Sequence, residues 1–263
     1  MKVHFHKYQA TGNDFIIIDD RNKQFDLQNN SLIHRMCNRR FGIGADGLIL
    51  LRNEPGYDFS MIYFNADGYE GSMCGNGGRC AAAFAHELFP QTFNYRFMAF
   101  DGEHLASIKQ ATDSGLLVNL SMRNVALPAV SDHAFTLNTG SPHYVSFVDD
   151  AASVDVNAEG RKIRNSAPYL RDGINVNFVE VHPDAITVRT FERGVEEETL
   201  SCGTGVTASA IVAVFSGKLA TAPVKVFTRG GELSVDFNSN DALFENVFLT
   251  GPADKVFSGS MEV

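Results

Sequence analysis

Two thiols in matching settings are the residues of this chain best placed to do chemistry. Met73-Cys74-Gly75-Asn76-Gly77 and Ser201-Cys202-Gly203-Thr204-Gly205 share a Cys-Gly-x-Gly core and lie about half of the 263-residue chain apart. Each runs on into small and apolar residues suited to a buried helix. A Cys immediately before a helix sits at the positive end of the helix dipole, where unpaired backbone N–H groups stabilise an anion. That setting raises the thiolate fraction at neutral pH, and the same N–H array can hold a carboxylate. Each motif therefore reads as a thiol beside an anion site. Two such sites suit proton transfer at carbon, without metal or cofactor. One thiolate removes a proton from one face, the other thiol supplies one to the opposite face, and a stereocentre inverts. Redox exchange is the rival use of two thiols, but it usually places them as Cys-x-x-Cys, a spacing this sequence lacks. The bland alternative is two buried, inert cysteines.

The elements that must position these thiols follow from the surrounding pattern. Helices are predicted at about Gly77 to Glu87 and Gly205 to Phe215, directly after the two motifs, and a third at Leu32–Asn38. Between turn signals run short β-rich stretches: 14–19, 60–64, 116–121, 143–148, 175–181, 186–191, 224–228, 233–237 and 242–249. The repeat extends past the thiols. Aligning Cys74 with Cys202 pairs Gly75 with Gly203, Gly77 with Gly205, Ala82 with Ala210 and Ala85 with Ala213. Gly102-Glu103-His104-Leu105 and Gly231-Glu232-Leu233 then follow their thiols at nearly the same distance. A period this long indicates a duplicated domain, not a solenoid, whose repeats are ~20–50 residues. The turn cluster at 112–115 is the expected boundary. It gives a half of 1–114 carrying Cys74 and a half of 115–250 carrying Cys202, with the tail 251–263 returning to the first.

Composition narrows the function classes. The net charge of −9 argues against nucleic acid as a partner. No apolar run approaches the ~18–20 residues of a membrane span, and the opening Met-Lys-Val-His-Phe-His-Lys-Tyr has no apolar core for a secretory signal. The expected compartment is the cytoplasm, where the four cysteines stay reduced. Cys37 and Cys80 read as structural. Cys80 lies six positions after Cys74, a helical rotation of about 600° and so ~120° off its face. No standard zinc spacing occurs, so no metal is expected.

At this point the chain resembles a known family. The blocks Thr11-Gly12-Asn13-Asp14-Phe15, Arg39-Arg40-Phe41-Gly42-Ile43-Gly44-Ala45-Asp46-Gly47, Phe64-Asn65-Ala66-Asp67-Gly68, Met73 to Cys80, Glu192-Arg193-Gly194 and Glu198 to Gly205 look like the signature blocks of diaminopimelate epimerases, in the same order along essentially the whole chain. The resemblance implies cofactor-independent interconversion of LL- and meso-2,6-diaminopimelate, a step towards lysine and peptidoglycan. It implies an α/β (α+β) fold of two pseudo-symmetric domains, each a barrel-like, mostly antiparallel sheet around a central helix, with the site in the cleft between them. A small amino-acid substrate, and by resemblance alone a homodimer, are the implied partners.

Carried over residue by residue, the resemblance makes Cys74 the thiol usually assigned as proton donor and Cys202 the acceptor, roles that exchange when the reaction reverses. Asn13, Asn65 and Asn175 match substrate-contacting amides. Gly75, Asn76, Gly203 and Thr204 match the helix-start groups that hold the reacting carboxylate. Glu192 matches a group for the substrate ammonium, Arg193 one for a carboxylate, and His143 a histidine that sets the protonation and position of the thiols. Read without the resemblance, Asn13 and Asn65 fit equally well as turn residues, His143 as a structural histidine, and Glu192–Arg193 as a solvated ion pair. The chain departs from some members at Gly47, where they have Gln, at Ser141, where many have Asn, and at Glu196-Glu197-Glu198, which is one residue longer and more acidic. Two further readings are a proline or hydroxyproline racemase-like enzyme, against which Asn76 and the Asn-Ala-Asp-Gly block weigh, and a non-catalytic amino-acid-binding or thiol-redox protein, against which the two intact thiol motifs weigh.

Overall fold

The computed structural model describes residues 2–111, 115–131 and 134–262. In chain order its elements are β1 (Lys2–Ala10), β2 (Asn13–Asp19), α1 (Asn30–Cys37), β3 (Gly47–Arg52), β4 (Phe59–Asn65), α2 (Gly75–Leu88), β5 (Asn94–Ala99), β6 (Gly102–Ala111), β7 (Gly115–Ser121), β8 (Val125–Ala126), β9 (Ala129–Val130), β10 (Phe135–Asn138), β11 (Pro142–Phe147), α3 (Val156–Arg164), β12 (Asn175–Val181), β13 (Ala185–Glu192), β14 (Glu197–Thr199), α4 (Gly203–Phe215), β15 (Val224–Thr228), β16 (Gly231–Ser239) and β17 (Leu243–Glu262). They form two compact units. One comprises the residues up to Leu120 together with those from Gly251 onward, and the other Ser121–Thr250. The turn residues 112–114 lie outside the described set. β7 beyond them pairs with β6 and β17, so the first unit runs on to Leu120.

In the first unit eight strands close on themselves in the order β1-β2-β3-β4-β5-β6-β7-β17, and β17 pairs back with β1. Only β2–β3 and β4–β5 are parallel. A parallel pair needs a long crossover, commonly a helix, and α1 and α2 supply the two. The second unit repeats the plan. Its strands run β9-β10-β11-β12-β13-β15-β16-β17-β8, with β11–β12 and β13–β15 parallel. The crossovers are α3 and α4, and β14 forms a hairpin on β13. The duplication read from two thiol motifs is thus a duplication of strand order, strand direction and helix placement.

The two helices that follow the thiols differ in kind from the other two. α2 and α4 are buried nearly all round and packed against five or more strands each, as a helix surrounded by its sheet must be. Their Gly and Ala content lets the strands approach. α1 and α3 bury one face only, against the outer side of each sheet. Ile33 and Met36 of α1 pack with Ile16, Ile18, Leu48 and Leu50, and Val156 of α3 with Val176, Phe178 and Phe191. Because side chains alternate along a strand, committing Ile16 and Ile18 outward turns Asn13, Phe15 and Ile17 towards α2. Committing Val176 and Phe178 outward likewise turns Asn175, Asn177 and Val179 towards α4. The alternation delivers amide side chains to the starts of the two central helices.

Candidate active site

In the first unit Cys74 is the N-cap of α2. Its backbone is extended (φ −112°, ψ 118°) and its Sγ accepts the Gly77 N–H at 3.5 Å. The thiol lies 3.6 Å from Asn13 Oδ1, which also accepts from Asn76 Nδ2 at 3.1 Å. Asn76 Oδ1 in turn accepts from Arg79 Nη2 at 2.9 Å, and Asn13 Nδ2 donates to Asp46 Oδ2 at 2.8 Å. With a donor at one end and a carboxylate at the other, both amides have one orientation. Asn13 therefore turns its carbonyl to the thiol. It is presented there by the tight turn Thr11-Gly12, whose φ values of 49° and 86° lie in the left-handed region. Beneath it Arg39 bridges Asp14 and Asp46, and Lys7 pairs with Asp14 at 2.7 Å. Burial pushes the Asp14 carboxyl up, but the hydrogen bonds and charges of Arg39 and Lys7 outweigh it and hold Asp14 at about 2.

Asn65 ends β4 directly opposite Gly47 of β3. At Gly47 the structure accounts for the missing Gln. A Cβ built there would lie 2.4 Å from Tyr63 Cε2 and 2.6 Å from the Phe64 carbonyl oxygen, and one built on Gly71 would lie 2.6 Å from Tyr63 Cε1. The Tyr63 ring fills the slot between the two glycines and meets Phe15 edge-on at 6.0 Å. No side chain fits at position 47 while Tyr63 is there.

In the second unit Cys202 caps α4 with nearly the same backbone (φ −112°, ψ 108°) but no side-chain cap hydrogen bond. Its Sγ lies 3.4 Å from Thr204 Oγ1, and Thr204 Oγ1 lies 2.9 Å from His143 Nε2. The proton positions follow from the neighbours. Thr190 donates to Asn177 Oδ1 at 2.9 Å, so the amide end of Asn177 faces His143 Nδ1 at 3.1 Å and the Tyr144 carbonyl at 2.9 Å. Nδ1 must accept, Nε2–H must donate to Thr204, and the Thr204 hydroxyl is left to donate to the Cys202 sulfur. His143 is fully buried. Burial foremost, and then the Arg193 charge, push it down to about 3, so it is neutral at physiological pH. It orients the threonine hydroxyl through its Nε2–H and brings no positive charge.

Asn175, opposite His143 in the β11–β12 register, donates to Ser141 Oγ at 2.8 Å and the Pro142 carbonyl at 3.1 Å, and accepts the Arg193 N–H at 2.8 Å. Ser141, the second departure, is thus a partner of Asn175. Glu192 ends β13 half-buried, while Arg193 is exposed and donates to the Asp172 carbonyl at 2.9 Å. Two residues of the acidic stretch, Glu196 and Glu198, are paired with arginines. Glu198 is bonded by Arg189 at 2.7 and 2.8 Å and by Arg229 at 2.9 Å, and Glu196 by Arg164 at 3.0 Å. Cys37 and Cys80 are buried, and burial pushes both thiols up, Cys37 to about 12, so neither is a nucleophile. Sequence reasoning missed Asp46, Tyr63, Arg79, Asn177 and Thr190. Asn177 alone left a readable signal, since it stands two residues from Asn175 in an apolar strand and shares its face.

Solved structures share this fold. A phenazine biosynthesis protein of the PhzF family from Bacillus anthracis superposes over 100% of both chains with a TM-score of 0.77 at 12% identity. A probable proline racemase from Agrobacterium radiobacter K84 does so over 99% of this chain and 92% of its own, with a TM-score of 0.68 at 15% identity. At such identities they define the class by architecture alone: an α/β, sheet-dominated fold with a closed eight-stranded barrel and few helices. Sequence narrows the class further. The family profile for diaminopimelate epimerase matches residues 5–123 and 135–256. The diaminopimelate epimerase of Flavobacterium psychrophilum is 49% identical over 96% of this chain and 97% of its own, and that of Chlorobaculum tepidum 43% identical over 96% and 98%. This chain belongs to the diaminopimelate epimerase family.

Proposed function

We propose that the chain epimerises LL-2,6-diaminopimelate to the meso form in lysine biosynthesis, and that Cys74 and Cys202 carry the proton transfer. The observation that carries the reading is the repetition of one device: an N-cap thiol on a central helix, with amide and hydroxyl groups oriented around it, once in each unit. In the forward reaction one thiolate takes the α-proton and becomes a thiol. The pair of electrons stays on the substrate as a carbanion conjugated with its carboxylate. The other thiol gives its proton to the opposite face and becomes the thiolate. The backbone N–H groups at Gly75–Asn76 and Gly203–Thr204 stand at the starts of α2 and α4, the positive ends of the helices, suited to the carboxylate on which negative charge grows. Preorganised donors of this kind are worth roughly 3–4 kcal/mol of transition-state stabilisation each. Asn13, Asn65 and Asn175, with Glu192 and Arg193, supply the mixed donors and acceptors that an amino acid requires at its ends. Thr204, oriented by His143, holds the Cys202 sulfur.

The test is incubation of LL-diaminopimelate in deuterated water, following deuterium at the α-carbon and the stereochemistry of the product. Wild-type protein incorporates solvent deuterium with inversion, and Cys74→Ala or Cys202→Ala abolishes epimerisation. Turnover of proline isomers in place of diaminopimelate overturns the substrate assignment. Full epimerase activity in either Ala variant overturns the two-thiol mechanism.

A further inference from the structure

The inner faces of β3 and β4 lead to the start of α2. A Cβ built on Gly77, in the first turn of that helix, would lie 3.1 Å from Met61 Cε, 3.2 Å from Ile49 Cδ1 and 3.5 Å from Cys74 Cβ. Met61 and Ile49 therefore lie against the turn that carries the thiol. Side chains on one face of a strand recur at every second residue. The next positions on these faces, towards the end of β4 and the start of β3, are Tyr63, Asn65 and Gly47. Along β4 the face opens: Met61 is buried, Tyr63 half-buried and Asn65 exposed. Tyr63 thus stands between the packed helix turn and the open end of the strand.

The ring does not stay over Ile49, its pairing partner on β3. It leans along the strand to Gly47, where a built Cβ would meet Tyr63 Cε2 at 2.4 Å and the hydroxyl oxygen at 3.0 Å. The hydroxyl is therefore close to where a side chain of residue 47 would begin. On the other edge of the ring, a Cβ on Gly71 would lie 2.6 Å from Tyr63 Cε1 and 3.0 Å from Asn65 Nδ2, so the Asn65 amide lies beside the same ring. Filling the slot between the two glycines takes only the ring, and phenylalanine would do it as well. The hydroxyl adds a donor. A phenol O–H and an amide N–H side by side on an opening face suit a carboxylate, which accepts at both oxygens. Their place is also set off from the thiol. Asn13, 3.6 Å from the Cys74 sulfur, is presented by β2, and Gly47 belongs to β3, the next strand over, about 4.8 Å away.

We propose that Tyr63 is a specificity-determining residue whose hydroxyl, beside Asn65, donates to the carboxylate at the end of the substrate remote from the reacting carbon. The inference rests on the substrate being diaminopimelate, which carries a second amino-acid end across its chain of methylenes. Gly47 and Gly71 belong to the same device, because a side chain at either would displace the ring and carry the hydroxyl away.

Steady-state epimerisation of LL-diaminopimelate by the whole protein, wild type against Tyr63→Phe, tests this. The variant keeps the ring in its slot and removes the hydroxyl alone. KM is expected to rise about tenfold, as for loss of a hydrogen bond to a charged group, with kcat changed less than about twofold, the mark of binding lost equally from ground and transition states. Two competitors locate the contact. 2-Aminopimelate keeps the remote carboxylate and lacks the remote ammonium, whereas lysine keeps the ammonium and lacks the carboxylate. Tyr63→Phe should weaken inhibition by 2-aminopimelate and leave inhibition by lysine as it is. A KM unmoved in Tyr63→Phe, or a loss as large for lysine as for 2-aminopimelate, overturns the proposal. If urea unfolding shows that Tyr63→Phe does not fold, Tyr63→Met, flexible enough to fill the same slot, takes its place with the same expected and overturning results. Failure of the wild type to turn over diaminopimelate defeats the substrate reading and this inference with it. An unmoved KM in an active Tyr63→Phe defeats the Tyr63 assignment alone.

Discussion

Gly77 and Gly205 hold the same place in the two thiol motifs, three residues after the cysteine, yet the same substitution should have opposite consequences at the two sites. Replacing a helical Gly by Ala gains about 1 kcal/mol of helix propensity. At Gly77 the added methyl would meet Met61 Cε at 3.1 Å and Ile49 Cδ1 at 3.2 Å, the free ends of two flexible side chains that can give way. Gly77→Ala should therefore stay within about 1 kcal/mol of wild type. At Gly205 the methyl would lie 2.4 Å from Asn177 Oδ1, with His143 Cε1 and Thr190 Oγ1 both at 3.3 Å. Asn177 is completely buried in the middle of β12 and holds His143, Thr190 and the Tyr144 carbonyl. It cannot move without leaving buried polar groups unpaired, at about 1–3 kcal/mol each. Set against the propensity gain, Gly205→Ala should destabilise by about 2 kcal/mol and also free the His143 ring that orients Thr204. Urea unfolding of the two variants side by side, with α-deuterium exchange measured on each, makes the comparison. Equal stability of the two, or an exchange rate in Gly205→Ala as high as in Gly77→Ala, would refute the reasoning.

Three further outcomes follow from the same geometry. His143 is held well below its unfolded value, so its contribution to stability is complete above about pH 6.5 and is lost as pH falls towards about 3, with a slope of up to ~1.4 kcal/mol per pH unit. Asp14, also held low, adds a second loss only below about pH 4. His143→Gln should flatten the stability profile between pH 6.5 and 4 in urea titrations, and an unchanged slope would contradict the buried neutral imidazole. Gly47→Ala should cost about 1–3 kcal/mol by overpacking, and less in a Tyr63→Ala background, because the ring contact is then gone while the Phe64 carbonyl remains. A double-mutant cycle reads that coupling, and strict additivity would show that Tyr63 does not fill the slot. Thr204→Val should lower α-proton exchange at least tenfold while Thr204→Ser keeps most of it, since only the hydroxyl links His143 to Cys202. Equal rates in the two variants would remove Thr204 from the mechanism.

The parts of this architecture legible in the sequence were those with an unmixed local signal. Helices after Cys74 and Cys202 were predicted from Gly77 and Gly205, and the structure starts them two residues earlier, with the cysteines themselves as caps. The duplication was visible because the Cys-Gly-x-Gly core recurs with the same order, spacing and following context. α3 was not predicted. Gly160 in its middle breaks the helical pattern, and the reason for that glycine is remote: a Cβ there would lie 2.3 Å from Phe191 Cβ. β3 was hidden because Leu48-Ile49-Leu50-Leu51 is buried on both faces and shows no alternation. The site divides the same way. The thiols and first-turn groups were readable from spacing, and Asn13, Asn65, Asn175, Glu192, Arg193 and His143 only from resemblance. Arg79, Asp46, Asn177 and Thr190 act by contacts between distant strands and helices, which a linear pattern does not contain.

β17 has a consequence in time. Its first part, up to Thr250, completes the second unit, and its continuation from Gly251 closes the ring of the first by pairing with β7 and β1. During synthesis the unit begun first is therefore finished last. Between the emergence of Leu120 and that of Gly251 the ribosome spends on the order of ten seconds, at ~5–20 residues per second. Throughout that interval β1 and β7 stand as open edges on either side of a nearly complete sheet, the kind of edge on which foreign strands add. A nascent chain arrested anywhere in the second unit would hold Cys74 on an unclosed barrel, so the translation rate through residues 121–250 governs how long the first unit stays exposed to mispairing.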